Sequence, residues 1–215
     1  MAVRTVSDQA RREGQRPVVA TMFMTLDGYI VGPDEDVSWV QVGFDPEMLD
    51  DLAQVIADRS DTFVLGRTTY EIFAAYWPTA IPFAEGDEVR VSEGKEDPRI
   101  IRALNDYPKL VVSTTMAAAA WRNTRVIAGG LEDEIRRLKA QPGRAICLQG
   151  SASVVQALAR ADLVDEYLLY VHPVLLGAGK KLFACDTGRQ NLELAHIKPY
   201  SNGVVAMTYR RKAVA

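Results

Sequence analysis

DTFVLGRTTYEIFAAY, residues 61–76, is the stretch on which the reading of the whole chain turns. Thr62-Phe63-Val64-Leu65 is a short apolar run rich in β-formers, too short for a helix and bounded by Asp61 and Gly66, so it predicts a buried strand. Gly66 ends that strand, and Thr68 or Thr69 can cap a helix. Tyr70, Phe73, Ala74 and Trp77 then recur at helical spacing until Pro78 stops the pattern. A strand that turns through Gly66-Arg67-Thr68-Thr69 straight into a helix leaves backbone N–H groups free at the helix start, beside a fixed positive charge. Such a turn suits a phosphate.

Outward from this unit the same alternation repeats. Pro17–Leu26 reads as a first buried strand, turned by Asp27-Gly28 into Tyr29-Ile30-Val31. Asp45-Pro46 opens a helix with Met48, Leu49, Leu52, Val55 and Ile56 on one face. Beyond residue 78 comes a long polar loop, 79–96, and then a helix from Asp97-Pro98. Further strands are expected at 109–113, 124–127 and 145–149, and further helices at 131–140 and 152–161. Strand and helix thus alternate up to residue 161, which implies an α/β fold with a mostly parallel central sheet and helices on both faces. The ending differs. Stretches 166–176, 192–200 and 204–211 read as strands without intervening helices, the last two joined by Ser201-Asn202-Gly203, so antiparallel strands close one side of the sheet.

With 215 residues, 48% of them hydrophobic, the chain fits one domain with a sizeable core; residues 1–16 read as a flexible arm and 17–215 as the domain. A net charge of −3 argues against a nucleic-acid or anionic-membrane binder, and no apolar run approaches a membrane span, so a cytoplasmic protein is expected. Two cysteines, Cys147 and Cys185, are too few for a disulfide framework and lack ligand spacing; with His172 and His196 they read as structural, and no metal site is expected. There is no Ser-His-Asp arrangement either. That favours chemistry carried by a cofactor.

TLDGYI at 25–30, LGRTTYE at 65–71, VVSTT at 111–115, LQGSASVVQAL at 148–158 and VDEYLLYVHPVLLGAGKKLF at 164–183 resemble, in order, the C-terminal reductase domain of bifunctional riboflavin-biosynthesis proteins and its stand-alone relatives, within the dihydrofolate reductase superfamily. The resemblance implies a dihydrofolate reductase-like fold, an NADPH cofactor and a homodimer. It implies hydride transfer to a small heterocyclic substrate, pterin-like or ribosylamino-pyrimidine-like, or to a carbonyl. Gly66, Arg67, Thr68 and Thr69 would hold phosphate groups of the dinucleotide. Ser113, Thr114 and Thr115 would meet the adenosine ribose, and Gly150, Ser151, Ala152 and Ser153 would let the diphosphate approach a helix start. Helix capping is the other reading of Ser151 and Ser153.

Two catalytic-side candidates follow. Asp27, in the TLDG turn, is placed to bind an amino group or a hydroxyl, or else satisfies its own turn. Asp51, with Asp50, falls near the acidic residue that dihydrofolate reductases use for pterin, or else lies on a solvated helix face. Trp39, Phe44, Met48, Tyr70, Trp77 and Phe83 can stack on a flat ring or fill the core, and Lys180 or Lys181 can meet an anion. The rival functions are a non-catalytic module that sequesters a nucleotide on the same fold and a reductase that uses a deazaflavin.

Overall fold

The computed structural model describes residues 15–40, 45–83, 94–183 and 188–212. The central sheet is built from β1 (Val18–Thr25), β3 (Ser60–Gly66), β6 (Lys109–Val112), β7 (Thr124–Ile127), β8 (Ala145–Gln149), β9 (Glu166–His172), β11 (Leu192–Pro199) and β12 (Val205–Arg211). Its order is β11-β12-β9-β1-β8-β3-β6-β7. Every neighbour pair from β9 to β7 is parallel, and β12 and β11 add antiparallel. This is the mostly parallel sheet with antiparallel closing strands that the pattern predicts.

The helices are α1 (Pro46–Ala53), α2 (Arg67–Tyr76), α3 (Pro98–Asp106), α4 (Leu131–Lys139) and α5 (Ala152–Arg160). Alternation along each strand decides which face a helix covers. Phe63, Leu65, Val111 and Cys147 point into one core with Leu52, Ile56, Ile100 and Leu104. Val64, Leu110, Ile146 and Leu148 point into the other, with Ile135, Leu138, Val154 and Leu158. Asp45 caps α1 by accepting from Glu47 N and Met48 N, and Asp97 caps α3 by accepting from Arg99 N. After Ala53 the first helix widens into a π-turn over Gln54–Arg59 before entering β3.

Several expectations need correction. Helix α2 begins at Arg67 with Gly66 in the N-cap position and no side-chain cap, so Thr68 and Thr69 lie inside its first turn. The loop at 79–96 carries two short strands, β4 (Ile81–Pro82) and β5 (Lys95–Glu96), paired in parallel; residues 84–93 lie outside the described residues, as do Phe44 and Cys185. Tyr29-Ile30-Val31 is itself a strand, β2 (Tyr29–Val31). It pairs with β10 (Lys180–Lys181), drawn from the glycine-rich segment that read only as a loop. Gly179 makes that pairing possible: at φ +125° a Cβ there would lie 2.1 Å from the carbonyl oxygen of Val31. Arg16, at the end of the expected arm, is buried; its Nε donates to Arg144 O at 2.8 Å and its Nη2 to Thr62 Oγ1 at 2.7 Å.

Lys109 is a core residue that composition does not flag. It is 1% exposed, and its ammonium donates to the carbonyls of Leu104 and Tyr107 at the end of α3 and lies 4.4 Å from the Trp121 ring centroid. Burial pushes it down to about 8. A cation at a helix C-terminus also complements the helix dipole.

Candidate functional site

The C-terminal ends of β3, β6 and β8, with the middle of β1, open on one cleft of about 2090 Å³. Chain order makes this location intelligible. The path runs from β1 out to β3, β6 and β7, then returns so that β8 inserts between β1 and β3, and crevices in parallel sheets form where such paths diverge. Gly66, Arg67, Thr68, Thr69, Ser113, Thr114, Thr115, Gly150, Ser151, Ala152 and Ser153 all line it. Three separate strand exits are thereby brought to a common space.

Two of these exits are locked together. Gly66 N donates to Ser151 Oγ at 2.7 Å, and the hydroxyls of Ser151 and Thr69 lie 3.0 Å apart, one donating to the other. Ser151 occupies the N-cap position of α5, yet its hydroxyl makes no cap bond to its own helix; the capping explanation for this residue is therefore wrong, and the side chain reaches across to the other turn. Each turn has a glycine because the other presses on it. A Cβ on Gly66 would sit 2.4 Å from Ser151 Oγ, and one on Gly150, at φ +71°, would sit 2.7 Å from Thr69 Cγ2. Neither α2 nor α5 has a side-chain N-cap, so two helix starts with uncapped first turns lie against one another at the cleft. The third exit is shaped by Ser113, whose hydroxyl accepts from the amides of Thr115 and Met116 and leaves Thr114 and Thr115 exposed.

Charge at this end comes from Arg67. Its guanidinium donates to both carboxylate oxygens of Glu71, at 3.0 and 3.3 Å, from a half-exposed position where such a pair is weak and easily exchanged for another anion.

Asp27 and Asp51 do not line the cleft. Asp27 accepts from Thr25 Oγ1 at 2.6 Å, Gly177 N at 2.8 Å and Leu176 N at 3.1 Å, which ties the end of β1 to the segment before β10. The Thr25 hydroxyl, followed by the Gly177 amide, holds its carboxyl below the usual range. Asp51 accepts from Tyr200 Oη at 2.8 Å and pairs with Lys198, joining α1 to β11. Asp50 is bridged to Arg99 at 2.6 Å. Each of these carboxylates already accepts from donors on another segment of the chain.

Of the candidates for stacking on a ring, Trp77 lines the cleft; Met48 and Tyr70 are buried in the core, and Tyr70 Oη accepts from Trp121 N. Trp39 is buried between Val37 and Val40, which do line the cleft, and stands edge-on to His172 with ring centroids 5.2 Å apart. Phe23, another lining residue, meets the same histidine at 5.7 Å. His172 is 1% exposed, its Nε2 has no hydrogen-bond partner among the described residues, and burial pushes its pKa down to about 4. Lys180 pairs with Glu35, and Lys181 lies over the Tyr29 ring at 5.1 Å. Sequence reasoning passed over Tyr76 and Glu96. Both line the cleft, with Tyr76 Oη donating to Glu96 Oε1 at 2.7 Å.

The sheet order, the antiparallel closing strands and a cleft over the strand ends define a dihydrofolate reductase-like protein. The chain belongs to the RibD C-terminal domain family, which it matches from residue 16 to residue 206. It is 30% identical to the uncharacterized protein YyaP of Bacillus subtilis (strain 168) over 196 residues, which cover 91% of this chain and 95% of YyaP. Among solved structures, a Shewanella sp. PV-4 protein assigned to riboflavin biosynthesis superposes with a TM-score of 0.70 at 21% identity, covering 92% of this chain and 99% of that one. The Thermotoga maritima diaminohydroxyphosphoribosylaminopyrimidine deaminase/5-amino-6-(5-phosphoribosylamino)uracil reductase superposes with a TM-score of 0.62 at 14% identity. The match covers 94% of this chain but only 58% of the bifunctional protein. At those identities the likeness is one of fold. No helix among the described residues is long and apolar enough to cross a membrane.

Proposed function

We propose that the protein is an NADPH-dependent reductase acting on a small heterocyclic or carbonyl substrate. The observation that carries this reading is the convergence of three strand exits on one cleft, with two uncapped helix starts interlocked through Ser151. Gly66–Thr69 and Gly150–Ser153 would hold the dinucleotide diphosphate, their backbone amides and glycines permitting close approach. Thr114 and Thr115 would meet the adenosine ribose, and Arg67 would exchange Glu71 for the 2′-phosphate. Bound there, reduced nicotinamide supplies the hydride. The chain itself aligns the two rings and excludes water, with Phe23, Phe73 and Trp77 among the cleft walls.

Fluorescence titration with NADPH and NADH tests the proposal. Saturable NADPH binding is expected, and Arg67→Ala should weaken NADPH about tenfold more than NADH, a differential of about 1.4 kcal/mol. Equal weakening of both would move Arg67 to the diphosphate. No saturable binding of either dinucleotide would remove the cofactor from the account. Saturable binding with no oxidation of NADPH by any pterin, ribosylamino-pyrimidine or simple carbonyl would favour the sequestering module.

A further inference from the structure

The cleft has a second end, and its chemistry is unlike that of the turns. Leu49, Leu52, Phe73, Trp77, Ile100 and Leu104 give it an apolar wall drawn from α1, α2, α3 and the turn after α2. Tyr76 closes α2, nine residues after Arg67 opens it, which separates the two by about 13 Å along the helix axis. The Gly66 turn and the Tyr76 end therefore serve different parts of whatever occupies the cleft.

At that end the polar feature is the Tyr76–Glu96 pair. The phenol donates to Glu96 Oε1 at 2.7 Å, and the backbone is fixed because Glu96 O accepts from Phe83 N at 3.0 Å beside the β4–β5 pairing. Burial pushes the Glu96 carboxyl up and the Tyr76 phenol up to about 12, so the phenol remains an O–H donor across the neutral range. The cations lining the cleft among the described residues are Arg67, Lys180 and Lys181. Arg67 lies at the opposite end of α2, while Lys180 and Lys181 lie on the β2–β10 ribbon, engaged with Glu35 and Tyr29.

We propose that this end of the cleft accepts an unphosphorylated aromatic heterocycle that presents an N–H or O–H donor to Glu96, the carboxyl being held in place by Tyr76. The proposal rests on the reductase reading and names the substrate class of that site. It also separates this chain from the bifunctional relative, whose name specifies a phosphoribosylamino-uracil. A carboxyl set in an apolar wall accepts a ring N–H or sugar O–H well. A phosphate brought beside it would be desolvated next to an acid, while the described cations that line the cleft lie at the start of α2 and on the β2–β10 ribbon, so one group both attracts the correct ligand and disfavours the charged one.

The test uses 5-amino-6-(ribosylamino)uracil with and without its 5′-phosphate, titrated anaerobically by calorimetry into protein saturated with NADP⁺, so that nothing is turned over. The unphosphorylated compound should bind about tenfold more tightly, and Glu96→Gln should bring the two affinities to within about threefold by weakening the first and admitting the second. Tyr76→Phe should weaken the unphosphorylated compound while leaving NADP⁺ affinity unchanged. Equal or tighter binding of the phosphorylated compound, an affinity ratio that Glu96→Gln leaves alone, or binding of neither compound would each overturn the proposal. The NADP⁺ titration of the same samples is read separately: failure there removes the reductase reading, whereas normal NADP⁺ binding with the wrong preference removes only the assignment of Glu96.

Discussion

Gly66→Ala is expected to abolish measurable NADPH binding while lowering folding stability by about 2–3 kcal/mol. The added methyl group would sit 2.4 Å from Ser151 Oγ and 3.0 Å from Ser151 Cβ; Oγ can rotate away only by giving up its bond from Gly66 N, and Cβ is fixed to the backbone. Relief requires the β3–α2 turn and the β8–α5 turn to separate. Separation breaks the 2.7 Å bond from Gly66 N and the 3.0 Å contact between the Thr69 and Ser151 hydroxyls. Gly66 has φ −81°, so alanine costs nothing in backbone conformation and the whole effect comes from crowding across the two turns. Adding Ser151→Gly to the variant should therefore recover most of the stability, as read by urea unfolding of wild type, single and double variants. If the double variant is no more stable than Gly66→Ala alone, the interlock is not what the glycine serves.

His172 should govern part of the acid sensitivity. In the fold its pKa is pushed down to about 4 from an ordinary 6.5 because the ring is buried, with Trp39 and Phe23 packed against it. A depressed histidine binds its proton in the unfolded chain first. Its destabilising effect is absent above pH 6.5, grows as pH falls toward 4, and approaches about 3 kcal/mol, the two-and-a-half-unit gap at 1.36 kcal/mol per unit. Carboxylates held low by hydrogen bonds, Asp27 and Asp45 among them, add acid sensitivity of their own, so the informative quantity is a difference between proteins. Urea midpoints at pH 7 and pH 4.5 should fall less for His172→Phe than for wild type. Parallel falls would mean that the histidine is protonated or exposed in the native state.

Some of this was legible because single residues impose it. Phe63-Val64-Leu65 alternates between two cores, Asp45-Pro46 and Asp97-Pro98 cap their helices, and glycine at 66 and 150 marks the turns of the cleft, so sheet, helices and the cleft turns could be read along the chain. What stayed hidden depends on contacts between distant segments. Ser151 looks like a cap and becomes one only for Gly66 and Thr69, 85 and 82 residues away. Asp27 and Asp51 look like free acids until Gly177 and Tyr200, about 150 residues later, fill them. Glu96 lies at the end of a polar loop with no periodicity, and only the fold places it over an apolar wall beside Tyr76. The β2–β10 ribbon was equally silent, since two lysines after two glycines carry no strand signal and Gly179 alone admits the approach to Val31.

The most direct measurement is the structure of the protein with NADP⁺ bound. The account predicts diphosphate density between the Gly66–Thr69 and Gly150–Ser153 turns, with the nicotinamide extending toward the wall that carries Phe73 and Trp77. Density for the dinucleotide outside this cleft, or a cleft left empty at a concentration that saturates binding in solution, would contradict it.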